Sequence, residues 1–591
     1  MNRTSPRGCI PPSSIGPRGR RHKARRRGRV APIPSRPPGP AAVRRTPQRP
    51  RCGAVILAAL WLLLLSALGA GAGWRFQAAE DETAVPHPWG PVMFPTHHRL
   101  YRDIERLAVR GTLPLEAWTL RSLPRAELAW MGKRAVAAPA APSRLRFERT
   151  LAREMHALQI PATYAETPPL IELAAGDALL RLRPYAALTP RWSARLPGGR
   201  GQWDWSDSTR VGLRGTLYLG RRLSLSHDVF VGEVMEGRRF SDPLVDNTDI
   251  LFYTERFDVN LHTGLVDLRF GRDRHRWGAG HYGTLLLDHA GQPFTFAQYE
   301  LRISPWFRFR ALSGFLNQSL GKYLGAHRLS WTPHPRLEIS FSEGVRYQSS
   351  SPRFLYLLGF VPYTFVERIQ QQDAVIDSLG RGLRNNVLWS LGWAWRASGR
   401  QLFYGEILAD DIGTKDRRMP SRWGFLAGIT YAPRFQGWDW TLGIEGAKVF
   451  NYVYSVYYRE LCLCDWDHQE DDLGFPDGPD SERLVLRALV DMTADWGADL
   501  VLTAFRHGQG ALGRPWFPER LPESEGRPSE AWKLWEPVTK GLGLRGAVRW
   551  EPRDNLASAL GLRFAHGEIP AGNTIETHSS LRIELNLRVH L

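Results

Sequence analysis

Cysteine is scarce. The 591-residue chain holds four, and Cys9 and Cys52 fall within its first 52 residues, so Cys462 and Cys464 have no other partner in the rest of the chain. That Cys-x-Cys pair could close a tight disulfide or bind a metal. Acid is missing from the start: residues 1–51 carry fifteen Arg or Lys and no Asp or Glu. Removing those fifteen from the 78 basic residues leaves 63 against 59 acids, so most of the formal net charge of +19 belongs to this leader. The remainder is not charged like a nucleic-acid binder. No repeat of fixed length runs through the chain, which argues against a β-propeller or β-helix. His275, His281 and His289 show neither i, i+4 helical spacing nor a Cys or Glu complement, and no metal or cofactor is assigned to them.

A single long apolar run, GAVILAALWLLLLSALGAGAG at 53–73, follows the leader. Its small-residue end, Ala70-Gly71-Ala72, fits a signal-peptidase site, so export is expected; a membrane-spanning anchor is the alternative. The expected division is a basic leader at 1–52, with a start near Val43 giving an ordinary n-region, a signal core at 53–72, a helical region at 73–165 and a β domain at 166–591. In the helical region, Leu100, Ile104 and Leu107 recur with helical spacing, as do Leu128, Met131 and Ala135, and then Phe147, Leu151, Met155 and Leu158. Three short amphipathic helices are expected, the third capped by Ser143. Helices this short need something to pack on.

From about residue 178 the period changes from 3.6 to 2. Val211, Leu213, Leu217 and Leu219 alternate with polar or small residues, the chain turns at Gly220 to Arg222, and Leu223, Leu225, Val229 and Val231 alternate again. Short turns are expected at 220–222, 262–264, 304–306, 332–335, 397–399, 433–437, 494–498 and 552–556. Longer connections are expected at 271–294, 316–325, 346–385, 409–421, 459–482, 507–540 and 565–579. Short turns alternating with long loops are the pattern of a transmembrane β-barrel. Eight short turns, with both termini at the short-turn end, imply about 18 antiparallel strands. The last segment is one-sided: Leu581, Ile583, Leu585, Leu587, Val589 and Leu591 alternate with Arg582, Glu584, Asn586, Arg588 and His590. Trp389, Trp393 and Trp395 share one strand face, as do Trp423, Phe425, Ile429 and Tyr431, as expected of aromatic girdles.

The connection GRDRHRWGAGHYGTLLLDHAGQPF at 271–294 is both cationic and glycine-rich. Arg272, Arg274, Arg276, Trp277 and His281 are candidates to hold an acidic polysaccharide or lipopolysaccharide, through guanidinium forks and an aromatic ring that stacks on a sugar. The alternative is that these arginines pair with carboxylates on the barrel wall. Glycines at 271, 278, 280 and 283 suit a loop that folds back into a barrel. Glu406, Asp410 and Asp411 are further candidates for glycan contact; as an acid pair they would suit glycoside cleavage. The acidic stretch 460–480 (Asp465, Asp467, Glu470, Asp471, Asp472, Asp477 and Asp480) reads as a solvated loop, with Ca²⁺ ligation as the alternative.

At these residues the chain resembles the Wzi capsule-assembly family. FGRDRHRWGAGHYGTLLL resembles its Gly-Arg…Trp-Gly-x-Gly signature, LFYGEILADDIG its Gly-Glu-x-x-x-Asp-Asp segment, and GPDSERLVLRALVDMTADWGADLVLTAFRHGQG its late strand pair with the Arg-x-Gly ending; the likeness spans roughly 85–591. The resemblance implies an all-β, 18-stranded outer-membrane barrel with a small N-terminal α-helical bundle on the periplasmic side. It also implies a lectin-like, non-enzymatic role in anchoring capsular polysaccharide, with outer-membrane lipid and the polysaccharide export machinery as partners. A porin, or a barrel-embedded hydrolase of glycan or lipid, would share the barrel features.

Overall fold

The computed structural model describes residues 100–121, 171–195 (except 177), 202–220 (except 207 and 208), 222–233, 250–288 (except 264 and 265), 292–373 (except 305), 385–410, 421–456, 464–512 (except 469 and 470) and 532–590 (except 554, 555, 572 and 573). The basic leader, the apolar run and the second and third expected helices lie outside the described residues, as do His289, Asp411 and Cys462.

Eighteen antiparallel strands close into a barrel. The first nine are β1 (Ala178–Leu188), β2 (Thr209–Leu219), β3 (Leu223–Glu233), β4 (Ile250–His262), β5 (Val266–Asp273), β6 (Phe294–Ser304), β7 (Phe307–Asn317), β8 (Lys322–His334) and β9 (Leu337–Gln348). The rest are β10 (Asn386–Ser398), β11 (Gln401–Ala409), β12 (Trp423–Tyr431), β13 (Trp438–Val449), β14 (Ser481–Asp491), β15 (Trp496–His507), β16 (Thr539–Arg553), β17 (Leu556–Ala571) and β18 (Thr574–His590). Each pairs with its neighbour in sequence, and β18 closes on β1 from Leu587↔Leu188 to His590↔Tyr185. Beyond Pro190, β1 is continued by Arg191–Arg195, which pairs with Ser580 to Glu584. Where β18 runs out, the short strand Ile171–Ala175 takes over the free edge of β1 from Leu182 to Ala178. Between them they pair this edge of the first strand at 178–182 and 185–188, as a barrel in hydrocarbon requires of nearly all its length.

All eight expected short turns are present. Two expected long connections are not: β7 and β8 are joined by only Gln318 to Gly321, and β17 and β18 run through 565–579 with just 572 and 573 between them. In both places the apolar alternation fades although the ladder continues, because strand ends beyond the hydrocarbon need no apolar outer face. Leu213, Leu268, Phe270, Phe341, Leu391, Leu500, Leu542, Leu560 and Leu562 are exposed on the outer wall. An apolar outside on a closed barrel is a surface for lipid.

Of the three expected helices only the first lies among the described residues. The first is observed as α1 (Leu100–Val109), with a one-turn helix α2 (Glu116–Thr119) after it. The expected bundle is not seen among the described residues; α1 and α2 sit inside the short-turn mouth, with Tyr101, Ile104, Leu107, Leu113, Leu115 and Trp118 buried. The long connection after β9 contains two helices that the sequence pattern did not reveal, α3 (Phe354–Leu358) and α4 (Tyr363–Asp373). These pack on the outer wall, where Tyr356, Tyr363 and Val366 meet Tyr323, Val345 and Tyr347. Glu343, on the same outer face, accepts the N–H groups of Tyr363 (2.7 Å) and Thr364 (3.1 Å) at the start of α4 and the Trp389 indole N–H (2.9 Å). The helix N-terminus thereby satisfies a carboxylate that would otherwise face lipid. Phe354, Phe360, Phe365 and Ile369 are exposed and extend the apolar surface of the wall, Phe360 resting on its Tyr299 and Phe309 with ring centres 5.4 Å and 5.2 Å apart. No described helix is long and apolar enough to cross a membrane; the strands make up the wall.

Candidate functional site

The connection after β5 folds back into the lumen. Trp277 donates its N–H to the Leu287 carbonyl (3.0 Å), and the two-residue strand Arg276–Trp277 pairs with Leu120–Arg121 behind α2. Gly278 N–H reaches the Thr119 carbonyl at 3.1 Å. Gly278 has φ +144, and a β-carbon there would run into the Glu406 carboxylate, so glycine is required at this point. The Arg276 guanidinium donates within the loop to the Gly280 and His281 carbonyls.

Two wall carboxylates hold this loop by its backbone. Glu406 on β11 accepts the N–H groups of Ala279 (3.1 Å) and Leu285 (2.8 Å). Glu445 on β13 accepts those of His281 and Tyr282, the latter at 2.8 Å, and the Tyr404 hydroxyl at 2.8 Å. Carboxylates that accept several N–H groups are strongly bound ligands of the loop, since charge-assisted hydrogen bonds exceed neutral ones.

Charge pairs fasten α1 to the same wall. Arg487 on β14 donates to Glu105 (3.0 Å) and to Thr430 (2.8 Å). Arg106 pairs with Asp491 and donates to Thr441 (2.7 Å), and Arg110 pairs with Asp439 (2.8 Å). Arg396 donates to the carbonyls of Ala108 (2.8 Å) and Leu113 (2.9 Å) at the end of the helix. Every wall partner belongs to a strand end at or near a short turn, so the helix stops that mouth.

The acidic stretch is not the solvated loop expected. From Cys464 onward it turns inward: Trp466 is buried and donates its indole N–H to the Leu286 carbonyl (2.8 Å), Asp465 accepts Val456 N–H (2.8 Å), and Asp480 accepts Gly510 N–H (2.8 Å). Asp477 pairs with Arg483, and Asp467 with Lys322 and Arg346 (3.4 Å each); Glu470 lies outside the described residues. Among the described residues no group of three His, Cys, Asp or Glu lies close enough to hold a metal ion. Cys464 is buried, free and pushed up to about 11 by burial.

The candidate residues therefore divide. Arg276, Trp277, Glu406 and Asp410 are buried. Asp410 accepts Tyr454 N–H (2.7 Å) and pairs with Arg422 (3.3 Å). Arg276, Glu406 and Asp410 turn polar groups onto the protein's own backbone and charges and hold loops in place, and Trp277 is packed in the same buried cluster. Arg272, Arg274 and His281 are only partly buried. Arg274 pairs with Glu255, Arg272 donates to the Thr254 carbonyl (3.2 Å), and the His281 ring lies 3.8 Å from Glu105. The wall-pairing alternative describes Arg274.

Two histidines inside this assembly carry a pH dependence. His275 packs between Phe294 and Phe296, and burial, with Arg269 nearby, pushes it down to about 3. Burial also pushes His468 down to about 4. A depressed histidine binds its proton more readily when unfolded, so these two lose stability as pH falls below about 6.5. Asp465, pushed up to about 7 by burial, has the opposite sign and gains as pH falls. His275→Phe removes one term only. The variant is expected to match the parent at pH 8 and to exceed its thermal resistance increasingly from pH 6 to pH 4.5; parallel curves would show that His275 does not titrate on unfolding.

One feature of the long-loop end has no counterpart in the sequence pattern. Trp532 is exposed, with the Lys448 and Lys533 ammonium groups 5.5 Å and 5.6 Å from its ring centre. Lys448 lies 84 residues earlier in sequence, and no local pattern joins the two.

These features define a closed 18-stranded barrel with part of its lumen filled by its own N-terminal helix and inward loops. No protein-family model and no curated protein matches the sequence. Among solved structures the chain is similar to Wzi, described as an outer membrane protein involved in group 1 capsule assembly in Escherichia coli and a carbohydrate-binding β-barrel; the TM-score is 0.55 at 15% identity, over 85% of this chain and 99% of that one. It also matches Pseudomonas aeruginosa OpdQ (TM-score 0.37, 9% identity, 69% and 98% covered) and OccD3 (0.36, 11%, 69% and 91%), at scores too low to bear on the assignment. The fold is that of Wzi, as the resemblance read from the motifs implied.

Proposed function

We propose that this chain is an outer-membrane barrel, without enzymatic activity, that retains an anionic capsular or other surface polysaccharide at the cell surface. The long loops face outward and the mouth stopped by α1 faces the periplasm. The observation that carries the reading is Trp532, exposed at the long-loop end between two lysines. An aromatic face stacks on a sugar ring and an ammonium group neutralises a uronate carboxylate; Lys448 already pairs with Glu482 (2.7 Å), so in this reading Lys533 meets the carboxylate and Lys448 lines the ring. Arg272, at the end of β5, adds positive charge, whereas Arg274 is paired with Glu255. The Wzi fold, and the carbohydrate binding named for that protein, support the reading.

The test compares cells lacking the protein with cells carrying it intact or as Trp532→Ala/Lys448→Gln/Lys533→Gln. Deletion is expected to release polysaccharide into the medium without stopping its synthesis. The triple variant is expected to retain several-fold less, because weak contacts repeated along a polymer multiply, while its mobility shift between unboiled and boiled gels stays intact. Full retention on deletion would refute the proposal. Full retention by the triple variant would move the contact surface elsewhere on the long-loop end.

A further inference from the structure

Among the described residues the plug is one-sided. Its apolar cluster takes wall residues from β6 to β13, among them Phe296, Leu324, Leu388, Leu402, Leu426 and Val449, and among the described residues none from β15 to β18. Opposite, three arginines stand side by side. Arg545 on β16 is in register with Arg563 on β17, and Arg563 with Arg582 on β18. Their neighbours in sequence, Leu544, Leu562, Phe564 and Ile583, belong to the outer wall, so strand alternation turns the arginines to the lumen. All three are exposed.

Their surroundings leave them open. The flanking lumen positions are Gly543 and Ala547 on β16, Gly561 and Ala565 on β17, and Ser580 and Glu584 on β18, and a β-carbon at Gly561 would meet only backbone atoms. Nearby carboxylates are committed: Asp499 to Arg549 (2.7 Å), Glu584 to Arg191 (3.1 Å) and Glu105 to Arg487. Along the row, Val501 pairs with Arg545 on one side and Ser193 with Arg582 on the other, so the next acid, Asp204, stands two strands beyond Arg582. Among the described residues none of the three arginines makes a hydrogen bond or ion pair. Like charges directly opposite, with Cα atoms about 5 Å apart, destabilise a sheet. Counter-charge from solution relieves a wall that carries three in a row.

We propose that Arg545, Arg563 and Arg582 form a lumen site for oxyanions, the carboxylate or phosphate groups of a solute held across adjacent guanidinium forks. The site does not depend on the polysaccharide-retention reading. Its ligand could be a segment of acidic glycan entering the barrel or a free inorganic anion, and both offer the same chemistry.

The test uses the full chain in detergent at low ionic strength, with trigalacturonate, inorganic phosphate and neutral maltotriose as probes, read by calorimetry and by thermal shift. The intact protein is expected to bind at least one anion saturably and not maltotriose. Arg563→Gln is expected to weaken that binding at least about tenfold, the size of one charge-assisted contact. Without ligand, the same variant should be as heat-resistant as the parent or more so, since a like-charge contact is removed. Trigalacturonate bound about tenfold or more tighter than phosphate would identify glycan as the source, and phosphate bound as well or better would identify free anions. Absence of anion binding by the intact protein, unaltered binding by Arg563→Gln, or lower heat resistance of the ligand-free variant would each overturn the proposal.

Discussion

Replacing Arg487 by alanine is expected to leave the barrel assembled and to open its short-turn mouth. Arg487 and Glu105 are both almost fully buried, and Arg487 also donates to Thr430 at 2.8 Å. Removing one partner strands the Glu105 carboxylate away from water, at a cost of about 3–5 kcal/mol for a broken buried pair. Ten residues of α1 have little stability alone, so the cost falls on docking and not on the strand ladder. In planar bilayers the variant should conduct several-fold more than the parent, while the unboiled band on gels keeps its mobility. Exchanging the charges, Glu105→Arg with Arg487→Glu, should restore part of the seal if the pair acts as a pair. Conductance equal to the parent in Arg487→Ala would mean that α1 is not what closes this mouth.

The barrel was legible in the sequence because the cause of the pattern acts at every residue. A wall with lipid outside and a polar lumen inside imposes period 2 on each strand, and the turns at 220–222 and 397–399 interrupt it where the strand reverses. Legibility ended where that cause stopped. At 565–579 the strands leave the hydrocarbon, and His566 to Glu568 read as a loop although they are in the ladder. Helices α3 and α4 were hidden because their signal lies elsewhere in sequence: Glu343 and His327 are polar at outer-wall positions, a break in phase that makes sense only once Tyr363 and Thr364 are seen to cover them.

The candidate site was legible in outline, but the contacts that its residues make were not. Glycines at 278, 280 and 283 correctly marked a loop folding inward. The acids of 464–480 and Glu406 looked available because sequence shows carboxylates without the N–H groups that satisfy them. The arginine row could not be seen at all: Arg545, Arg563 and Arg582 are separated by a full hairpin each time, and only register brings them together.

Glu406→Ala tests the assignment of that residue to architecture. The substitution leaves the N–H groups of Ala279 and Leu285 buried without an acceptor, at roughly 1–3 kcal/mol each. It also takes a carboxylate from the neighbourhood of Arg276 and Arg328, which are themselves buried. The barrel has its ladder from β1 to β18 and should assemble. The inward loop depends on Glu406 and Glu445 for its hold on the wall, so amide hydrogen exchange across Trp277 to Leu287 is expected to quicken by at least tenfold, close to the rate change that about 1.4 kcal/mol allows. Glu406→Gln retains one acceptor oxygen but turns a donor toward the second N–H, and should fall between the two. Retained polysaccharide per assembled barrel should be the same in all three proteins, since the residue is walled off by the loop it holds. A variant with parental exchange rates and lowered retention would reverse the assignment: Glu406 would then touch glycan, and the lumen behind the loop would have to open for it.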